Sequence, residues 1–147
     1  MKLLIFILII LFNSSLYSFP IPKDNKASFD ILRKNKVIGS VVSTFTKDNG
    51  SITIDTILDI KIKIFLIPAY KFFQKTEEKW INGEFISITG YTDFEDDREY
   101  YIKGNDSDIN FIASGMDGEI ILDKNILPLN YWNKKILNEN KLFDTQK

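Results

Sequence analysis

The stretch Ser51-Ile52-Thr53-Ile54-Asp55-Thr56-Ile57-Leu58-Asp59-Ile60-Lys61-Ile62-Lys63-Ile64 alternates almost without a break. Ile52, Ile54, Leu58, Ile60, Ile62 and Ile64 fall on one side of an extended chain, and Thr53, Asp55, Asp59, Lys61 and Lys63 on the other. Successive side chains of a strand point to opposite faces, so a period of two predicts a strand with one face in a core and one in water. A run this long cannot stay flat, because twist accumulates along a sheet. The sheet is therefore expected to curl around something.

Working outward, the same period recurs on both sides. Toward the N-terminus, Ser28 to Lys34 and Val37 to Lys47 read as two strands about an Asn35-Lys36 turn, with Gly39 as a candidate bulge. Asp48-Asn49-Gly50 then supplies the positive φ angles of a tight hairpin. On the other side, Pro68 is expected to end the long strand, because proline has no N–H to give to a ladder. Ala69 to Trp80 is the next strand, Asn82-Gly83 the next hairpin, and Phe85 to Glu95 the strand after it. Asp96-Asp97, Gly104-Asn105-Asp106-Ser107 and Gly115-Met116-Asp117-Gly118 are read as turns around Arg98 to Lys103, Asp108 to Ser114 and Glu119 to Asp123. Pro128 to Asn138 loses the alternation, and Tyr131, Lys134, Lys135 and Asn138 mark one side of a short C-terminal helix. Leu142 to Gln146 starts another strand. Short loops between successive strands imply an antiparallel meander. The expected fold is mostly β: a curled antiparallel meander, a half-barrel or incomplete barrel, with that short helix, forming one domain over residues 28–147.

The N-terminus carries a different signal. Lys2, the apolar run Leu3 to Phe12 and the polar stretch Asn13 to Ser18 have the layout of an export signal over residues 1–18. The run is shorter than the ~20 apolar residues a membrane-spanning helix needs. Residues 19–27, with Pro20 and Pro22, read as a linker. These features predict a periplasmic or secreted protein, soluble and without a stable membrane anchor once the signal is removed. The formal charge is −1, and 27% of residues are charged. No basic excess favours nucleic acid. The sequence has no cysteine, so neither a disulfide nor a cysteine-linked lipid is available.

The chain also has no histidine. No imidazole base exists for a Ser-His-Asp or Cys-His pair, and zinc or copper sites lose their usual ligands. The expectation is no enzyme, no catalytic residue, no metal site and no cofactor. Glu77 and Glu78 are adjacent on a strand and point to opposite faces, so they do not form a catalytic pair. Glu95, Asp96 and Asp97 read as a solvated hairpin tip. Asp106, Asp108 and Asn110 have the alternating spacing of a calcium loop, but Phe111 stands where such a loop needs glycine and no glutamate closes it at Asp117. Lys61, Lys63, Lys71, Lys75 and Lys79 read as the wet face of a sheet, with the holding of an anionic head group as the alternative. Phe65, Leu66, Ile67, Ala69, Tyr70, Phe72 and Phe73 crowd around Pro68. They are either core or a greasy lip suited to a lipid surface.

Three patches together resemble a known family. They are Phe29-Asp30-Ile31-Leu32-Arg33-Lys34-Asn35-Lys36-Val37-Ile38-Gly39, Glu78-Lys79-Trp80-Ile81-Asn82-Gly83-Glu84-Phe85, and Tyr131-Trp132-Asn133 followed by Leu142-Phe143-Asp144-Thr145-Gln146. In order and spacing they resemble domain of unknown function 6134, an uncharacterised family of exported Gram-negative proteins similar in style to periplasmic half-barrel proteins. The resemblance spans Phe29 to Gln146. It implies an antiparallel sheet curled around a core and supplies no catalytic residues. The family's glycine in the hairpin near Asp96-Asp97 is absent here. Its members continue past the Asp-Thr-Gln motif, so the resemblance also implies a domain truncated at its C-terminus.

Trp80 and Phe85 flank the Asn82-Gly83 turn and are expected to pack across it. Glu78 shares the Trp80 face and would need a partner if buried, with Arg33 and Arg98 as candidates. The hairpin is then either structural or a polar anchor in an apolar pocket, the usual make-up of a ligand site. Trp132 and Asn133 either plug the barrel end or join that site. The candidate ligand-binding residues are Phe72, Glu78, Trp80, Trp132 and Asn133. The leading expectation is a periplasmic binding or carrier-type module for an apolar or amphipathic ligand, its partner a lipid-like small molecule or an envelope protein. The alternative is a structural or interaction protein of the cell envelope with a filled core.

Overall fold

The computed structural model describes residues 21–65, 67–94 and 98–147. The expected export signal and the Asp96-Asp97 turn lie outside the described residues. Eight strands, β1 (Lys26–Arg33), β2 (Lys36–Asp48), β3 (Ser51–Ile64), β4 (Ile67–Ile81), β5 (Glu84–Phe94), β6 (Glu99–Asp106), β7 (Asn110–Gly115) and β8 (Gly118–Asp123), form one sheet in chain order. Every neighbouring pair is antiparallel, and the sheet is an open meander with β1 and β8 at its edges. The quoted stretch is β3, flanked by β2 and β4 over nearly its whole length.

The turns follow from the backbone conformations their residues tolerate. Asn49-Gly50 (φ 42° and 85°) and Asn82-Gly83 (φ 53° and 83°) take positive φ at both central positions, as a two-residue hairpin requires. Bulges reset the register three times among the described residues. Between β1 and β2, Ile31 pairs Gly39 and Leu32 pairs Val37, which leaves Ile38 over. Gly39, beside that bulge, lies so close to the Asp59 carbonyl of β3 that a Cβ would collide with it. Between β4 and β5, Lys79 pairs Ser87 and Trp80 pairs Phe85. The extra residue there lets Phe85 and Ile88 both turn inward beside Trp80.

The inner face carries two apolar clusters. Phe45, Ile54, Trp80, Phe85, Ile88, Ile102 and Phe111 form the first, toward the Asn82-Gly83 end. The chain after β8 covers it with Ile126, Trp132 and Phe143. Short strands β9 (Leu127–Pro128) and β10 (Leu142–Phe143) pair in parallel and hold that covering segment together. Val41, Leu58 and Phe72 form the second cluster, with half-buried Ile31, Ile60 and Phe94 against them. Between the clusters runs a row of small polar residues in register across three strands, Ser43 beside Thr56 and Thr56 beside Thr76. The Ser43 and Thr56 hydroxyls share a 2.8 Å hydrogen bond, which satisfies both in a buried site.

Three sequence expectations are corrected. The short C-terminal helix is a 3₁₀ turn, Lys134–Asn138, opened by the Asn133 side chain accepting from the Lys135 N–H. It buries no residue, so no apolar face docks to extend it into an α-helix. Pro68 does not end the long strand, which stops at Ile64: it stands within β4 opposite Lys63, where the register shifts and a missing N–H is tolerated. Gly104 to Asp106 are not a turn but the end of β6. Gly104 is there because the Phe111 ring lies over it, with Cε1 2.5 Å from where a Cβ would stand.

Candidate functional site

Strand β4 sends Phe72, Gln74, Thr76, Glu78 and Trp80 to the inner face, all of them buried. Glu78 is the exceptional one, a carboxylate at 1% exposure. The Trp80 indole N–H donates to its Oε2 at 2.9 Å, two residues along the same face. The Asn130 amide donates to both oxygens at 3.3 and 3.4 Å, reaching across from the covering segment. Asn130 uses its other end as well: its Oδ1 accepts the Asn133 N–H at 3.1 Å. The Trp132 ring stands edge-on to Trp80 and to Phe45, each at 5.5 Å between centroids. Burial pushes the Glu78 carboxyl up from 4.5 to about 7, against the opposing pull of Trp80, Asn130 and Trp132.

Of the five sequence-predicted site residues, Glu78, Trp80, Trp132 and Asn133 meet in this constellation. Phe72 does not: it lies in the second cluster, edge-on to Phe94 at 5.1 Å. The Glu78 partners also differ from those expected. Arg33 is exposed at the far end of β1, and the Arg98 guanidinium lies over the Phe94 and Tyr100 rings at 5.5 and 5.9 Å. The sequence reading missed Asn130. Its only signal was its place two residues before Trp132 in an otherwise unpatterned segment. It also missed Gln74, whose amide donates to the Thr145 carbonyl at 2.7 Å and ties β4 to the end of the covering segment.

The constellation is a buried carboxyl whose oxygens are met by N–H donors. Two indoles, one amide and one carboxyl interlock β4 with residues 130–133. Outside it, a shallow groove of about 230 Å³ lies between the Asn82-Gly83 hairpin and the covering segment, lined by Phe85, Lys124, Ile126, Lys135 and Glu139. Asp106 and Asp108, considered above as a calcium loop, are bridged by a lysine: Lys124 Nζ donates to Asp106 Oδ2 at 3.2 Å and to the Ser107 and Asp108 carbonyls. Among the described residues no group of three or more His, Cys, Asp or Glu is placed to hold a metal ion. No helix among them is long and apolar enough to cross a membrane.

The second cluster presents a different surface. The covering segment seals the first cluster and reaches the middle of the sheet at Gln74 and Gly115, the latter against Lys147. Beyond it, Ile31, Ile60 and Phe94 remain half-buried, and Phe29, which pairs with Val41, is 47% exposed.

Taken together, these features define an open all-β meander, sealed at one end by its own C-terminal segment and apolar at the other. The family model described as domain of unknown function (DUF6134) matches residues 29–147, and the chain belongs to this family. No curated protein and no solved structure matches it.

Proposed function

We propose that the protein is a binding or carrier-type module of the periplasm, and that its curled half-barrel takes up an apolar or amphipathic molecule at the open end of the inner face. The observation that carries this reading is the second cluster. Its floor of Val41, Leu58 and Phe72 is rimmed by half-buried Ile31, Ile60 and Phe94 and by exposed Phe29. Half-buried and exposed apolar side chains at the rim of an inward-facing cluster favour an apolar occupant. Gln74 and Thr145, bonded to each other, and buried Thr92 stand at the border with the sealed end. Of the candidate site residues, Phe72 belongs to this surface, and Glu78, Trp80, Trp132 and Asn133 hold the opposite end closed.

A second reading is a structural or interaction protein of the envelope. It is favoured by the packed constellation at Glu78 and by a groove smaller than the ~300 Å³ at which ordinary ligand clefts begin. Titration with a fluorescent fatty acid separates the two. The carrier reading expects saturable binding that Ile60→Asp and Phe94→Asp abolish. The sequence has two tryptophans, Trp80 and Trp132, both at the sealed end, so their emission reports independently that each variant is folded. An unliganded native mass spectrum, together with no saturable uptake by the unaltered protein, overturns the carrier reading in favour of the second.

A further inference from the structure

The tips of the β1–β2 and β3–β4 hairpins leave the sheet at the open end, side by side because β2 and β3 are neighbours. Leu32 and Val37 face each other across the first tip and are both exposed. Phe65, 95% exposed, and Ile67 crown the second. Interleaved with them are the exposed cations Arg33, Lys34, Lys36 and Lys63. Lys61 and Lys71, lower on β3 and β4, pair with Asp59 and Asp93 at 2.7 Å. The β5–β6 connection leaves the same end, and its acids Glu95, Asp96 and Asp97 lie outside the described residues.

Phe65 adds an independent observation. Its φ is +49°, in the left-handed region where a bulky side chain is strained. At Asn25, Asn35, Asn49 and Asn82 this backbone falls on asparagine, which tolerates it, and at the β1–β2 tip it also falls on Lys34 (φ +48°). At the β3–β4 tip it falls on an aromatic ring almost wholly in solvent. Packing does not account for an exposed aromatic ring there, and strain of this kind clusters at functional surfaces.

We propose that these two hairpin tips dock on an anionic lipid bilayer. Phe65, Ile67, Leu32 and Val37 enter the head-group boundary, and Arg33, Lys34, Lys36 and Lys63 lie against the lipid phosphates. Alternation of apolar and basic side chains at one edge is the composition that an anionic interface rewards on both counts. The purpose of the contact rests on the carrier reading, since docking here sets the open apolar end against the bilayer. The contact itself rests on the tips alone.

The test is flotation with phosphatidylcholine vesicles with and without phosphatidylglycerol, at low and high salt. Residues 1–20 are the same in every variant, so comparing variants isolates the tips. Binding is expected to require phosphatidylglycerol, to weaken with salt, and to fall about tenfold or more in Phe65→Asn, the order set by withdrawing one large apolar side chain from a lipid boundary. Lys34→Glu with Lys36→Glu is expected to remove the dependence on phosphatidylglycerol. Fatty-acid uptake without vesicles is expected to survive both changes, so the two proposals fail separately. Vesicle binding unchanged by Phe65→Asn overturns the docking surface. So does a protein that ignores vesicles but forms a dimer that Phe65→Asn dissolves, which assigns the tips to a second copy of the chain.

Discussion

Glu78 has exchanged water for an indole N–H, an amide and a neighbouring indole, and hydrogen bonds alone do not repay the lost hydration of a charge. Its proton is therefore held to about pH 7 in the folded protein, against 4.5 ordinarily. Below 4.5 the group is protonated in both folded and unfolded chains, and its contribution to stability is fully present. As pH rises from 4.5 through 7 the unfolded chain releases the proton first, so that stability is progressively lost. The full loss is about 3 kcal/mol, because each pH unit separating the folded and unfolded proton affinities is worth ~1.4 kcal/mol. Glu78→Gln keeps the shape and the acceptor oxygen while removing the ionisation. Urea midpoints measured from pH 4.5 to 8 should fall for the unaltered protein relative to Glu78→Gln, with the two converging at the acid end. A constant difference across that range would contradict the assignment. The sequence showed half of this site: Glu78 and Trp80, two apart on one strand, must share a face. It could not show Asn130, because a contact spanning 52 residues leaves no local period. Nor could parity separate Phe72 from Trp80. Both point inward, but eight residues of strand put them ~27 Å apart.

The elements were legible wherever local chemistry set them. Period-two alternation marked the strands, and Asn-Gly pairs marked the hairpins whose backbone needs positive φ. Where a distant side chain set the outcome, reading failed. Gly104 looks like a turn residue until Phe111 is seen lying over it. Residues 126–147 carry no period because they form neither strand pairs of useful length nor a helix, and are held by what they cover. The β3–β4 tip fits neither category, and its strain makes a prediction of its own. Phe65 is 95% exposed and has little packing to lose, so Phe65→Asn should relieve the left-handed backbone. The expected gain is about 0.5–1 kcal/mol, read as a higher urea midpoint with an unchanged slope. The same change is expected to weaken vesicle binding. Stability and function then move in opposite directions at one residue, as they do where strain is kept for a purpose.

At the scale of the whole molecule, the buried row Ser43, Thr56 and Thr76 divides the inner face into an end that is sealed and an end that is open. This row was visible in the quoted stretch as Thr56, the one polar residue in an inward-facing run of Ile and Leu, but a single interruption does not announce a boundary. The division predicts that the two ends fail separately. Trp132 packs edge-on to both Phe45 and Trp80 and stands beside Glu78. Trp132→Ala should destabilise the fold by about 3–5 kcal/mol, a large share of the ~5–15 kcal/mol that holds a domain of this size. It should also admit water to Glu78, returning its carboxyl toward 4.5 and flattening the pH dependence that Glu78→Gln removes. Conditions in which Trp132→Ala remains folded, by circular dichroism and urea titration, then allow the decisive comparison. Fatty-acid uptake at the open end should match that of the unaltered protein, because Ile31, Ile60, Phe72 and Phe94 keep their neighbours across the polar row. Loss of uptake in a folded Trp132→Ala protein would mean that the seal and the open end act as one cavity, and the boundary at Thr56 would have to be abandoned.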